Sequence, residues 1–474
     1  MAASLNNPVS NNGGVTSSLL SVLRMISFYA RANYSFDNRY MFQATIRRDG
    51  SSAFGTDNRW GTFPSFSAAW RVTEEKFMKN QNVFNDLKFR IGYGVSGNSL
   101  GFGVYDARHI YTRAGNPIAG ILKGATWYYP TLTGTNANPN LKWERTGMFN
   151  IGLDAEFLGG RLGGTIEYYI KRTKDLIHWY AVSGSKYPYG GTMPANVGEI
   201  SNKGVELTIN AIPVQGKEFQ WNTTFTLSHN KNKVEKISNG EFSVTYIPEG
   251  NTDIGGVTNS SVQRIMEGCP IGQFYLPEFA GYDERGVTIF NDYENGVLVG
   301  TTTSPNESDY RKAGSAQPKV VFSWSNTLTW KKWSLSAFFQ GVGGNKIFNA
   351  KEAYYSNITN VKNGKNGLVS LYNQIVDNPA RINDTNSQYP STRYLEKGSY
   401  LRLSALTLGY DFGRLGDWIQ NLRLYATVNN VFTITGYDGC DPEINLGGLQ
   451  PGIDWRQSTY PRTRTYLFGV NINF

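Results

Sequence analysis

Long hydrophobic runs are missing from this sequence, and their absence rules out a helical membrane protein. No uninterrupted apolar stretch approaches the ~18 residues that a spanning helix needs. The nearest candidate, residues 19–32, is broken by Arg24, which is also the first basic residue. A secretory signal carries its positive charge ahead of its apolar stretch, so no signal peptide is expected. That leaves a cytosolic protein or a chain whose true N-terminus lies upstream. Histidine is scarce: His109, His178 and His229 each stand alone, without HxH or HExxH spacing, and no metal role is expected for them. The two cysteines, Cys269 and Cys440, form no CxxC, and their pairing is left open. GxSxG, P-loop and GxGxxG motifs are absent. Residues 283–296 hold oxygen ligands that could bind Ca²⁺ but lack EF-hand spacing, and a solvated turn is the favoured reading. The expectation is a non-enzyme without cofactor. The formal charge of +9 is scattered over loops and strands rather than gathered into a basic block, so no nucleic-acid partner is expected.

What is abundant is aromatic residues, 14% of the chain, and glycine, 52 of 474 residues. The mean hydropathy is only −0.40. The dominant pattern is alternation with period two, the mark of strands with unlike faces. In residues 465–474, Tyr466, Phe468, Val470, Ile472 and Phe474 fall on one face, and Thr465, Leu467, Gly469, Asn471 and Asn473 on the other. Leu87, Phe89, Ile91 and Tyr93 alternate with Lys88, Arg90, Gly92 and Gly94. Phe149, Ile151 and Leu153 alternate with Asn150, Gly152 and Asp154. Roughly 13 or 14 such segments recur, each near the ~9–11 residues that cross a bilayer as a tilted strand. Between Leu403 and Leu406 the apolar phase slips, which predicts a β-bulge. Short links (37–39, 158–160, 331–332) alternate with long Gly/Asn/Pro-rich ones, expected at about 97–140, 172–203, 231–316, 343–398 and 432–463. The 231–316 link is expected to hold an extracellular subdomain, and residues 345–355 a short helix.

An apolar face of Trp, Tyr, Phe and Leu must meet either a second protein layer or lipid. In lipid every backbone polar group has to be paired, so a sheet must close on itself. The polar face then lines a lumen, and here it carries Arg47, Lys88, Arg90, Asp154, Glu156, Glu167, Glu206 and Arg423. The segments are long for globular strands. Tyr34, Tyr40, Trp70, Trp143, Trp330, Trp333, Tyr410 and Tyr466 sit near segment ends, where they would form interface girdles. The expected fold is all-β: an antiparallel transmembrane β-barrel with long extracellular loops, whose last strand ends at Phe474. The rival is a soluble or surface-exposed β-rich carbohydrate-binding or hydrolytic protein.

Several blocks resemble the SusC/RagA family of TonB-linked outer-membrane proteins of Bacteroidetes-type bacteria. Ile46-Arg47-Arg48-Asp49-Gly50-Ser51-Ser52 looks like the family's RRDGSS block, and Phe63-Pro64-Ser65-Phe66-Ser67-Ala68-Ala69-Trp70 continues it. Asn138-Pro139-Asn140-Leu141-Lys142-Trp143-Glu144 matches its NPNLKWE signature. Asn196-Val197-Gly198-Glu199-Ile200 and Asn202-Lys203-Gly204-Val205-Glu206-Leu207 follow, then Tyr400-Leu401-Arg402-Leu403 and Asn429-Asn430-Val431-Phe432, in family order. The resemblance implies a barrel of about 22 strands around an N-terminal plug. It implies import of oligosaccharides or peptides, a SusD-like lipoprotein lid, and energy from the TonB–ExbB–ExbD system. It covers only about the last half of a family member. Residues 1–25 are therefore expected to be a non-barrel or loop remnant, residues 26–474 the barrel portion of roughly 13–14 strands, and plug and TonB box to be absent. Trp127, Tyr128, Tyr129, Trp179 and Tyr180 are candidates for stacking on a ligand, against the alternative that they pack within the loops.

Overall fold

The computed structural model describes residues 21–108, 136–187, 191–252, 261–455 and 460–474, and elsewhere the backbone of six short strands. Thirteen strands form one antiparallel sheet in which each pairs with its neighbours in sequence. They are β1 Met25–Phe36, β2 Tyr40–Ser51, β3 Trp60–Arg71, β4 Phe84–Asn98 and β5 Glu144–Phe157. There follow β6 Leu162–Ala181, β7 Thr192–Gln215, β8 Phe219–Lys236 and β9 Val320–Trp330. The last four are β10 Trp333–Gly343, β11 Tyr400–Leu415, β12 Ile419–Thr435 and β13 Thr465–Asn473. Phe474 lies just past β13 and is exposed.

The register carries one apolar surface across the whole sheet. Phe66 stands opposite Tyr93, Tyr93 opposite Phe149, and Phe149 opposite Ile170. Further along, Leu227 faces Phe322, Trp333 faces Tyr410, and Leu424 faces Val470. None of these side chains is buried under a second layer: Phe66 is 59% exposed and Val470 57%, while Ile170, Leu227 and Phe322 are partly covered. The soluble-sandwich alternative requires them to be covered. At the phase slip in β11 the pairing skips Ser404, so the bulge is where the alternation placed it.

Short turns join the strands at one end of the sheet. Asp37, Asn38 and Lys331 adopt left-handed backbone conformations there, with positive φ. Tight hairpin turns demand such conformations, because their twist matches that of the flanking strands. Apart from the brief 52–59 link at the other end and the longer 72–83 link at this one, the links at the other end are longer, and short periplasmic turns opposite long extracellular loops assign the two ends. The 172–203 link is a correction. β6 runs on to Ala181 and β7 begins at Thr192. At 24 residues, β7 is more than twice the ~9–11 needed to cross a bilayer, so its surplus stands above the membrane. There lipid no longer imposes an apolar face, and the sequence reads as loop. Trp143 is a second correction: it is buried with Phe54, Phe63 and Leu141 above the sheet, its indole N–H donating to the Arg59 carbonyl at 2.9 Å, rather than standing in a girdle. The expected helix is shorter, Ala350–Tyr355, and follows a strand at Lys346–Asn349.

The long loops after β8, β10 and β12 fold into one extracellular cap. Ile247–Asn251, Ser261–Ile265, Gln273–Pro277 and Tyr310–Ser315 make a four-stranded sheet. Lys346–Asn349 pairs with both Leu395–Lys397 and Ile453–Asp454. Val262, Phe274, Leu276, Phe348, Tyr394 and Ile453, drawn from all three loops, form a common buried core.

Candidate functional site

The inward face of the sheet and the underside of the cap bound the candidate passage. On the wall, strand pairing brings Lys88, Arg90, Asp154, Thr165 and Glu167 together. Arg90 donates to Asp154 through Nε at 2.8 Å and through Nη2 at 3.0 Å, and its Nη2 also reaches Glu167 at 3.3 Å. Lys88 pairs with Asp154 at 3.0 Å, and the Thr165 hydroxyl donates to the same carboxylate at 2.9 Å. Asn150 donates to Glu167 at 3.1 Å. Glycines let bulky neighbours lie flat on this wall: a Cβ on Gly204 would come within 2.5 Å of the Tyr169 ring, and one on Gly469 within 2.2 Å of Tyr425. Polar groups held this way offer donors and acceptors to a hydrated solute without blocking it.

At the rim, Arg402 projects inward from β11 and is 2% exposed. It donates to Asp441 at 2.7 Å, Glu443 at 2.8 Å and Thr433 at 2.9 Å. Gln340 and Arg462 also reach Glu443, at 3.2 and 2.8 Å. Burying a charge is costly unless it is paired and hydrogen-bonded, and Arg402 meets that requirement by clamping the 436–464 loop to the wall. Inside the cap, Asp384 accepts from the Thr288 backbone N–H at 2.9 Å and from its hydroxyl at 2.7 Å, joining two loops. Burial, reinforced by Glu396, pushes the Glu352 carboxyl up to about 7. Burial also pulls the Arg381 guanidinium down to about 10, where it lies 3.3 Å from the Tyr282 ring centroid.

The stacking candidates separate. Trp179 is 40% exposed. Tyr180, its neighbour, is 2% exposed, packs with Met193, Ala195, Val197 and Phe242, and has its hydroxyl pushed up to about 12 by burial. Trp127 and Tyr128 belong to a short strand paired with Ile121–Lys123; Tyr129 lies outside the described residues. The structure does not bring Trp179 to the Arg402 rim through any described contact. Residues 283–296 run from a turn, in which Asp283 accepts the backbone N–H groups of Arg285 and Val287, through the strand Thr288–Glu294. Among the described residues no group of His, Cys, Asp and Glu has a metal-binding arrangement. Cys269, buried, and Cys440, exposed, are both free thiols. The wall charges were legible from period two. The Arg402 clamp was not, because its partners Asp441 and Glu443 lie beyond the whole of β12, in the loop that follows it. The one hint was a charge flanked by leucines in residues 400–403.

The family described as "TonB dependent receptor-like, beta-barrel" matches residues 2–431. The "TonB-dependent receptor SusC" of Bacteroides thetaiotaomicron is 34% identical over 95% of this chain and 44% of its own length. The "TonB-dependent receptor P3" of Formosa agariphila is 30% identical, over 98% of this chain and 47% of its own. The solved "RagAB peptide importer in the 'open-open' state" superposes with a TM-score of 0.77 at 25% identity, over 98% of this chain and 49% of that one. The chain thus spans about half the length of the relatives it matches. Those relatives are receptors, not enzymes, in keeping with the expectation from the missing motifs. The chain belongs to the TonB-dependent receptor β-barrel family, is SusC/RagA-like within it, and is an outer-membrane β-barrel protein.

Proposed function

We propose that the chain is the C-terminal barrel portion of a SusC-like importer of oligosaccharides or peptides. In this reading a SusD-like lipoprotein closes the extracellular mouth, TonB–ExbB–ExbD supplies energy, and the plug and TonB box lie in sequence not contained in these 474 residues. The observation that carries it is the continuous polar wall, from the Arg90–Asp154–Glu167 network to the Arg402 clamp, opening beneath a folded cap. The names of its relatives, a SusC receptor and a peptide importer, favour the two substrate classes without choosing between them. Trp179 is the aromatic to which we assign stacking against a sugar or peptide ring.

Uptake decides the matter. Cells carrying the complete gene should accumulate labelled oligosaccharides or labelled oligopeptides above the porin exclusion size. Removing the gene or removing TonB should each abolish that accumulation. Unchanged uptake of both classes after gene removal would contradict the proposal, and loss of only one class would name the substrate.

A further inference from the structure

The outer face of the barrel changes character at its extracellular end. Successive side chains of a strand alternate between its two faces. The phase that sends Phe149, Ile170, Val205 and Leu227 outward on β5 to β8 also sends Arg145, Arg172, Lys174, Lys203, Lys231 and Lys233 outward higher up the same strands. Cross-strand register sets them side by side. Arg145 is opposite Lys174, and Lys203 is opposite Lys231. Ser201, the next outward position above Lys203, faces Arg172 on one side and Lys233 on the other. Six cations therefore share a patch three strand spacings wide, roughly 15 Å. Three carboxylates lie among them: Glu199 pairs with Arg172, Glu235 with Lys233 at 2.6 Å, and Asp175 with Lys142, outside the patch, at 2.8 Å. Among the described residues, Lys174, Lys203 and Lys231 have no carboxylate partner, and all three are exposed. Arg145 makes one backbone contact, to the Thr62 carbonyl at 3.3 Å. Lower on the same face stand Leu153, Ile166, Leu207, Ile209 and Phe225, without charge.

Like charges directly opposite each other across strands disfavour the sheet. On a lipid face cations are tolerated only near the interface, where their stems lie along hydrocarbon and their heads reach water. A counter-anion at that height removes the repulsion. An open hollow of about 450 Å³ sits at the patch, and its walls are of two kinds. Arg145, Arg172 and Lys174 supply positive charge, Asp175 supplies a carboxylate that is already paired with Lys142, and Tyr93, Phe149 and Ile170 supply an apolar floor. A soluble anion would use only the charged half, whereas an acylated phospholipid or glycolipid phosphate uses both. We infer that this patch is a binding site for the phosphorylated headgroup of an outer-leaflet lipid, whose acyl chains lie against Tyr93, Phe149 and Ile170.

Native mass spectrometry of the purified full-length protein tests this directly. The protein in detergent is mixed with dioleoyl phosphatidic acid, with dioleoylglycerol, or with phosphatidic acid plus excess inorganic phosphate. Phosphatidic acid should be retained, dioleoylglycerol should not, and inorganic phosphate should not displace the lipid. The triple variant R145Q/R172Q/K174Q should retain tenfold less phosphatidic acid or lower still, each juxtamembrane cation being worth about fivefold. The pair K203Q/K231Q, on the neighbouring strands, should also weaken retention, and it serves if the triple variant does not assemble. Undiminished retention by the variants, or equal retention of dioleoylglycerol, overturns the inference. Displacement by inorganic phosphate overturns its assignment to lipid.

Discussion

Trp179 and Tyr180 are adjacent aromatics on one strand, and the pleat sends them to opposite sides. One side meets solvent; the other meets Met193, Val197 and Phe242. Tyr180→Ala should therefore loosen the extracellular ends of β6 and β7, at a cost of about 3 kcal/mol for emptying an aromatic site. Trp179→Ala should leave those ends intact and act on ligand uptake alone. Limited proteolysis of the 182–191 link separates the two: faster cleavage in Tyr180→Ala, unchanged cleavage in Trp179→Ala. Glu352 offers a pH test in the cap. Burial first, and then Glu396, raise its folded pKa to about 7, above the ordinary value of 4.5. The folded state then holds the proton more tightly than the unfolded one. Its stabilising effect is complete below about 4.5 and is lost as pH rises through about 7. Hydrogen exchange in residues 344–399 should accelerate over that interval, and Glu352→Gln should flatten the dependence.

Elements in this protein are legible to the extent that lipid shapes them. β4, β5, β12 and β13 alternate cleanly because one face meets hydrocarbon and the other water. The Ser404 bulge was readable for the same reason, since a slipped residue shows only against a strict phase. β6 and β7 above Lys174 and Ile200 lose their phase because both faces there meet water or loops, and Asp175 breaks the register with a left-handed backbone. The cap strands were hidden because they are short and their core forms between loops far apart in sequence. At the candidate site, the wall charges came from the phase, while the clamp and the cap contacts needed the tertiary fold. The face rule gives a paired prediction on β7. Leu207 points outward between Ile166 and Leu227 and should not accept arginine. Leu207→Arg should cost about 2–4 kcal/mol in bilayer folding. Thr208→Arg, one residue on and inward beside Thr165 and Thr226, should fold with little loss. Heat-modifiable gel mobility of the two variants reports the outcome.

As a whole molecule, the sheet has two edges, β1 and β13, which are not paired with each other among the described residues. Unpaired edges inside a membrane are untenable, because no water is present to satisfy their backbone groups. The proposal that these thirteen strands are one arc of a larger closed wall meets that requirement, and the relatives are about twice as long. The medium that touches each face then distinguishes a membrane wall from a soluble sheet. Single spin labels at the outward positions Ile166, Leu207 and Leu424, and at the inward positions Thr165, Thr208 and Thr427 on the same strands, measure this in bilayers, with Cys269 and Cys440 first replaced by serine. The first set should be relaxed by oxygen dissolved in lipid, and the second by an aqueous nickel chelate. If the first set is shielded from both reagents, or meets the chelate instead, the barrel reading is contradicted.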